Sequence, residues 1–250
     1  MAPNDPRWVL LACPDARSSR LSDHRIPHPS QSALGTAGAV PGVTLDVVEV
    51  PAQPGRADLD PVLAGPPPDR VLVAGTDADL AAVVVRLLRT ERLDVEVAYL
   101  PTTSSPAAAA WGLPTGTAAT ELALTGTATA VPLTRDDGGG VLVGRAEVRG
   151  LTGECYCDEV LVLRGAARRL VVAPGPAGIA VRAGWTGRVP DGGVRPVPPK
   201  APHGRGSALG RAVQVGGRPF TVLADGVEHP RPLSRRTWYR HTTDWLLVRP

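Results

Sequence analysis

The hydrophobic positions in the first half of the chain fall into short runs separated by polar or helically spaced stretches. Trp8-Val-Leu-Leu-Ala12, Thr44-Leu-Asp-Val-Val-Glu-Val50, Arg70-Val-Leu-Val-Ala74 and Asp94-Val-Glu-Val-Ala-Tyr-Leu100 each read as a strand. After the third run, Leu80, Val83, Val84, Leu87 and Leu88 recur at helical spacing, which predicts a helix over 78–92. The stretch 14–41 is weakly patterned, with a short helix at 30–39, and 51–68 reads as a loop with one helical turn near Leu59 to Leu63. Strands that alternate with helices or long crossovers build a parallel sheet covered on both faces.

Beyond Thr115 the pattern changes. One helix is predicted over 118–124, and the remaining apolar runs are short and bounded by Gly, Pro and Asp, at 129–133, 141–148, 159–163, 169–173, 179–183, 211–215, 220–223, 237–241 and 245–249. That punctuation is the signature of an all-β domain. The chain therefore reads as an α/β domain over 1–126 followed by a β-sandwich domain over 127–250, with a cleft between them. The segment 188–207, rich in Pro and Gly, reads as a long loop.

Composition changes this picture little. Aromatic residues make up 4% of the chain, with one Met and one Phe, so the cores must be built from Val, Leu and Ala. Lys200 is the only lysine, and the abundance of Arg together with Ala, Gly and Pro follows a GC-rich coding bias. The net charge of +3 is carried by His229 to Pro250, where five Arg stand against one Asp. Such a run either faces a phosphate or anionic head group or is a solvated surface. Three cysteines are too few for a disulfide framework, and no apolar run approaches the ~20 residues of a membrane span. Pro3, Asn4, Asp5 and Pro6 do not resemble a signal peptide, so a cytoplasmic location is expected. Cys155-Tyr-Cys157 places two thiols on one face of a strand, but further ligands are lacking and no metal site is expected there. Nucleic acid is not expected either: Trp238 and Tyr239 lie in the basic segment without a repeated basic and aromatic alternation.

Candidate chemistry begins at Gly75-Thr-Asp77, where a strand turns into a helix. A helix start after a glycine turn offers unpaired N–H groups to a phosphate. Asp77 reads either as the cap of that helix or as a group facing a nucleotide or metal, and Asp79 as a first-turn charge favourable to the dipole. Asp225-Gly226 is a turn dipeptide after the strand Phe220-Thr-Val-Leu-Ala224, with Glu228 close behind.

The order of these motifs resembles the diacylglycerol kinase and NAD kinase superfamily. Gly75-Thr-Asp-Ala-Asp79 with Leu80 is similar to that family's GGDGT and following Leu. Leu100-Pro101 and Gly112-Leu-Pro114 bracket a segment standing where the family carries GTGND, and Ala224-Asp-Gly-Val-Glu228 resembles its Asp-Gly-Glu. The resemblance implies a two-domain lipid kinase fold, ATP and Mg²⁺ as cofactors, Gly75, Thr76, Asp77 and Thr103 as nucleotide-binding residues, and Asp225 and Glu228 as catalytic residues. Its partners would be a nucleotide or lipid head group, with peripheral contact to a membrane and no transmembrane segment.

The departures are specific. Thr76 and Ala78 replace two glycines where the ligand comes closest, Ala81-Ala82 replace Asn-Glu, and Arg195 stands where the family's base would be, a side chain that cannot accept a proton. The expectation is a divergent lipid kinase-like protein, a pseudoenzyme with weak or absent kinase activity and residual nucleotide or lipid binding. The alternative is an active ATP-dependent lipid kinase.

Overall fold

The computed structural model describes residues 6–14, 43–64, 66–101, 103–184 and 206–250. Its first sheet is built outward from the most apolar of the expected strands. β3 (Arg70–Ala74) is buried at every position, as a strand covered on both faces must be. β1 (Arg7–Ala12) pairs with it in parallel and β2 (Thr44–Glu49) lies outside β1. β4 (Glu96–Leu100) pairs in parallel on the other side of β3.

Four helices accompany these strands among the described residues: α1 (Arg56–Leu63), α2 (Asp77–Arg89), α3 (Pro106–Trp111) and α4 (Thr117–Thr125). α1 is longer than the single turn expected near Leu59, and α3 was not marked by any periodicity. Two further strands complete the sheet, β5 (Ala128–Val131) and β15 (Trp245–Val248). Its order is β2-β1-β3-β4-β15-β5, and only the β15–β5 pair is antiparallel.

Trp8, Leu10, Leu72, Ala74, Ala98 and Leu100 share one face of this sheet and pack with Ala123 of α4 and Val248 of β15. Alternate residues point the other way, and there Tyr99 meets α2 through Asp77. Arg70 is 6% exposed: it lies over the Trp8 ring at 4.4 Å and donates to the carbonyls of Ala123 and Gly126, where α4 ends. A cation suits the negative end of a helix dipole.

The second unit is all β. Among its described residues it contains β6 (Thr134–Asp136), β7 (Val141–Leu142), β8 (Ala146–Cys157), β9 (Val160–Gly175), β10 (Gly178–Gly184), β11 (Ser207–Gly210), β12 (Ala212–Ala224), β13 (Val227–Glu228) and β14 (Leu233–Arg240). They form one antiparallel sheet in the order β11-β10-β9-β8-β12-β14-β6-β7, with β13 paired to β12. The sheet curls around a single core that includes Leu151, Leu163, Leu170, Phe220 and Trp238.

The long strands bend at a line of glycines. Gly217, Gly153 and Gly165 are register partners across β12, β8 and β9, beside a register shift between Gly216 and Phe220. A Cβ on Gly153 would overlap the Gly216 carbonyl oxygen, and one on Gly217 would overlap that of Thr152. The backbones approach where no side chain intervenes, which lets the sheet fold over.

The expected order, an α/β unit followed by an all-β unit of the sandwich type, is the fold observed. The units are Met1–Val131 with Thr243–Pro250, and Pro132–Thr242. The closing strand β15 thus belongs to the first sheet, inserted between β4 and β5. The runs expected at 159–163 and 169–173 are one strand, β9, because Arg164, Gly165, Ala166 and Ala167 between them keep their pairing with β8. Likewise 211–215 and 220–223 are both parts of β12. The helix expected at 30–39 and most of the loop at 188–207, including Arg195, lie outside the described residues. No helix among the described residues is long and apolar enough to cross a membrane.

Candidate functional site

The turn after β3 is where an open α/β sheet usually receives its ligand, at the carboxyl ends of the strands. Here that turn is filled by the protein's own carboxylate. Thr76 is the N-cap of α2, and Asp79, at the third helical position, answers it in a capping box. Oδ2 of Asp79 accepts from both the Thr76 amide and the Thr76 hydroxyl, each at 2.7 Å. Oδ1 accepts from the Gln53 amide at 2.6 Å. Asp79 is 1% exposed, so this is a buried charge satisfied by three donors.

Gly75 is required here by space. A Cβ at Gly75 would lie 2.6 Å from Oδ2 of Asp79 and 3.0 Å from Cβ of Cys13. Cys13 follows β1 and its amide donates to the Ala74 carbonyl. Burial first, and then the charge of Asp79, push the Cys13 thiol up to about 12. It is a packing group and not a nucleophile at neutral pH.

Asp77 has a different partner set. It is not the cap, the position that Thr76 takes. Oδ1 accepts from the Tyr99 hydroxyl at 2.9 Å and Oδ2 from the Ala107 amide at 3.0 Å, in the first turn of α3. Burial and then the Asp77 charge push the Tyr99 hydroxyl well above its ordinary value, so it remains a donor. Ser105 caps α3 by accepting from the Ala108 amide at 3.1 Å. Asp77 therefore fastens the Gly75 turn to the loop that follows β4. Of the residues expected to hold a nucleotide, Gly75, Thr76 and Asp77 are contiguous, Gly75 and Asp77 are buried, and Thr103 is exposed on that second loop.

Asp225 and Glu228 lie on one hairpin in the second unit. Asp225 and Gly226 both have positive φ, 47° and 89°, the geometry of a tight two-residue hairpin turn. Asp225 is 6% exposed, and its carboxylate accepts from the amides of Val143, Gly144 and Arg145 at 3.0, 2.8 and 3.0 Å. These bonds hold the connection between β7 and β8. Glu228 is exposed on β13. Sequence reasoning missed Asp79, Tyr99 and Gln53 as members of the first site. The pattern Thr76-Asp-Ala-Asp79 is a capping-box spacing and carried the signal for one of them.

A crystal structure of a Bacillus anthracis str. Sterne protein described as a diacylglycerol kinase superposes with a TM-score of 0.63 at 11% identity, covering 98% of this chain and 97% of its own. The fold is that of the diacylglycerol kinases. A second structure of a diacylglycerol kinase from the same organism matches with a TM-score of 0.60 at 10% identity, covering 98% of this chain and 97% of its own. An NAD kinase from Archaeoglobus fulgidus, in complex with ATP, matches with a TM-score of 0.50 at 13% identity, covering 97% of this chain and 93% of its own. No protein-family model and no curated protein sequence matches the chain. At such identities the likeness is one of fold.

The kinase-like fold raises the question of whether the residues present suit ATP and Mg²⁺. At the Gly75 turn they do not suit the phosphates: a phosphate approaching there would meet the Asp79 carboxylate, and the Thr76 amide that should greet it is already bonded to Asp79.

Proposed function

We propose that this chain is a non-catalytic descendant of the lipid and NAD kinase fold, binding ATP more weakly than micromolar and transferring no phosphoryl group. The observation that carries this reading is the Asp79 carboxylate in the glycine turn, accepting from Thr76 and Gln53. Phosphoryl transfer depends on positioning and on neutralising phosphate charge. A buried carboxylate at the cradle works against both. The same reading supports a structural part for Asp225, whose oxygens are engaged by three main-chain donors.

The purified protein, incubated with ATP, Mg²⁺ and in turn diacylglycerol, a sphingoid base or NAD, should release ADP at the background rate. Calorimetry should show no ATP binding tighter than about micromolar, on the order of −8 kcal/mol. Robust turnover that Asp77→Ala or Asp225→Ala abolishes would replace this reading with that of an active lipid kinase.

A further inference from the structure

Ala146 and Val148 of β8 both point into the core of the second unit, each fully buried. Glu147 between them points to the outer face. It should be solvated there, yet it is 4% exposed, because three arginines cover it. Arg145 Nη2 lies 3.1 Å from Oε1, Arg149 Nη2 lies 3.0 Å from Oε2, and Arg169 Nη2 also pairs with Oε1. The side chains of Arg145, Arg149 and Arg169 are themselves 46%, 51% and 47% exposed. Among the described residues, no other carboxylate pairs with any of the three.

The register makes this arrangement costly as it stands. Arg149 and Arg169 are direct partners across β8 and β9, and like charges placed opposite one another destabilise a sheet. Thr221 of β12 is the partner of Arg149 on its other side, so a hydroxyl and two guanidiniums stand in one row. Glu147 offsets one positive charge and leaves a surplus of two. A phosphate monoester carries about −1.5 to −2 at neutral pH and offers three acceptor oxygens, which matches that surplus. Guanidinium forks suit phosphate geometry, and ones already tethered lose less freedom on binding. Burial alone would raise the Glu147 carboxyl, but Arg149, Arg169 and Arg145 together hold it below its ordinary value, so the tether persists at neutral pH.

We propose that Arg145, Arg149 and Arg169, held around Glu147 on the outer face of the second sheet, form a binding site for a phosphate monoester. The site belongs to the second unit alone and is independent of how the Gly75 turn functions.

The test uses the full chain and two probes at fixed ionic strength: inorganic phosphate followed by calorimetry, and sedimentation with phosphatidylcholine vesicles with and without phosphatidic acid. Arg149→Gln and Arg169→Gln should each weaken binding about tenfold or more, the usual effect of losing a charge-assisted hydrogen bond. Arg182→Gln is the control. Arg182 is exposed on the same face, in the row of Glu147 by way of Val171, without pairing to Glu147. Its loss should leave binding within about twofold, since it removes only a screened surface charge. Saturable phosphate binding with this pattern identifies a free monoester, and phosphatidic acid-dependent capture alone, with the same pattern, identifies a lipid head group. Failure of both probes, or equal losses in Arg182→Gln and Arg169→Gln, overturns the proposal. Should Arg169→Gln lower the melting temperature sharply, Arg149→Gln, at the more exposed position, gives the deciding measurement.

Discussion

Replacing Asp79 by Ala should weaken the first unit while making its glycine turn a better anion site. The substitution removes the acceptor for the Thr76 amide, the Thr76 hydroxyl and the Gln53 amide. Loss of the capping box costs about 1 kcal/mol. Hydrogen bonds to a charged group contribute roughly 1.5–3 kcal/mol each. Thr76 is half-buried and Gln53 exposed, so water recovers part of this. Gln53 also has φ of 52°, a left-handed conformation that the Asp79 bond pins in place. The expected loss is about 2–4 kcal/mol, a fall of roughly 5–15 °C in the melting of that unit. Differential scanning calorimetry would resolve it from the second unit. The variant also frees the Thr76 amide at a helix N-terminus and removes a negative charge, so ATP and Mg²⁺ should bind at least about tenfold tighter than to wild type. A variant that melts like wild type, or that binds ATP no better, would show that Asp79 is not what closes the turn.

Three further outcomes follow from the second unit and the cysteines. Gly153→Ala should cost more than about 3 kcal/mol in urea unfolding, because the overlap is with backbone and cannot be relieved by a rotamer change; a loss under about 1 kcal/mol would mean the strands can separate there. Cys13, Cys155 and Cys157 are each buried, with Cys13 and Cys155 pushed up to about 12 chiefly by burial and Cys157 raised by the same cause. Alkylation at pH 8 should therefore modify none in the folded protein and all three in denaturant, and rapid native labelling of any one would contradict the packing. The carboxyl of Glu147 lies below the ordinary glutamate value of 4.5 when folded, so its contribution is complete above that value and is lost as pH falls through it towards the lower folded value. Denaturation of the second unit as a function of pH should show an acid limb that Glu147→Gln flattens, and an unchanged limb would mean the arginines do not stabilise the charge.

The parts of this protein that were legible in its sequence are those fixed by local pattern. β1, β3 and α2 are each marked by a run or spacing within a few residues, and the change from mixed to all-β character is marked by Gly and Pro. The errors arise where tertiary pairing overrides that local pattern. β9 looks broken at Arg164 to Arg168 because its exposed residues there are polar, but pairing with β8 carries it through. α3 has too few residues to show a period, and it is fixed by Ser105 at its start and by the bond its Ala107 amide donates to Asp77. The basic run near the end of the chain was the visible charge feature, yet Arg236 within it is buried against Asp136 and Asp137. The arginines that gather around one carboxylate come from β8, β9 and the turn before β8, and only the sheet brings them together.

The placement of β15 bears on how the chain is made. Trp245 is the register partner of Val131, so in chain order the second unit is inserted between two neighbouring strands of the first sheet. A chain leaving the ribosome can form β1 to β4 early, but β4 then exposes an open parallel edge until Trp245–Val248 has been synthesised. Domains emerging first generally fold first. Here the intervening unit can complete its own core while the earlier one waits. That interval leaves an unpaired apolar edge exposed, the feature that recruits chaperones or neighbouring chains, and its length is set by the translation time of Pro132–Thr242. Slowed synthesis across that segment would therefore lower the yield of folded protein by way of a sheet encoded mostly upstream of it.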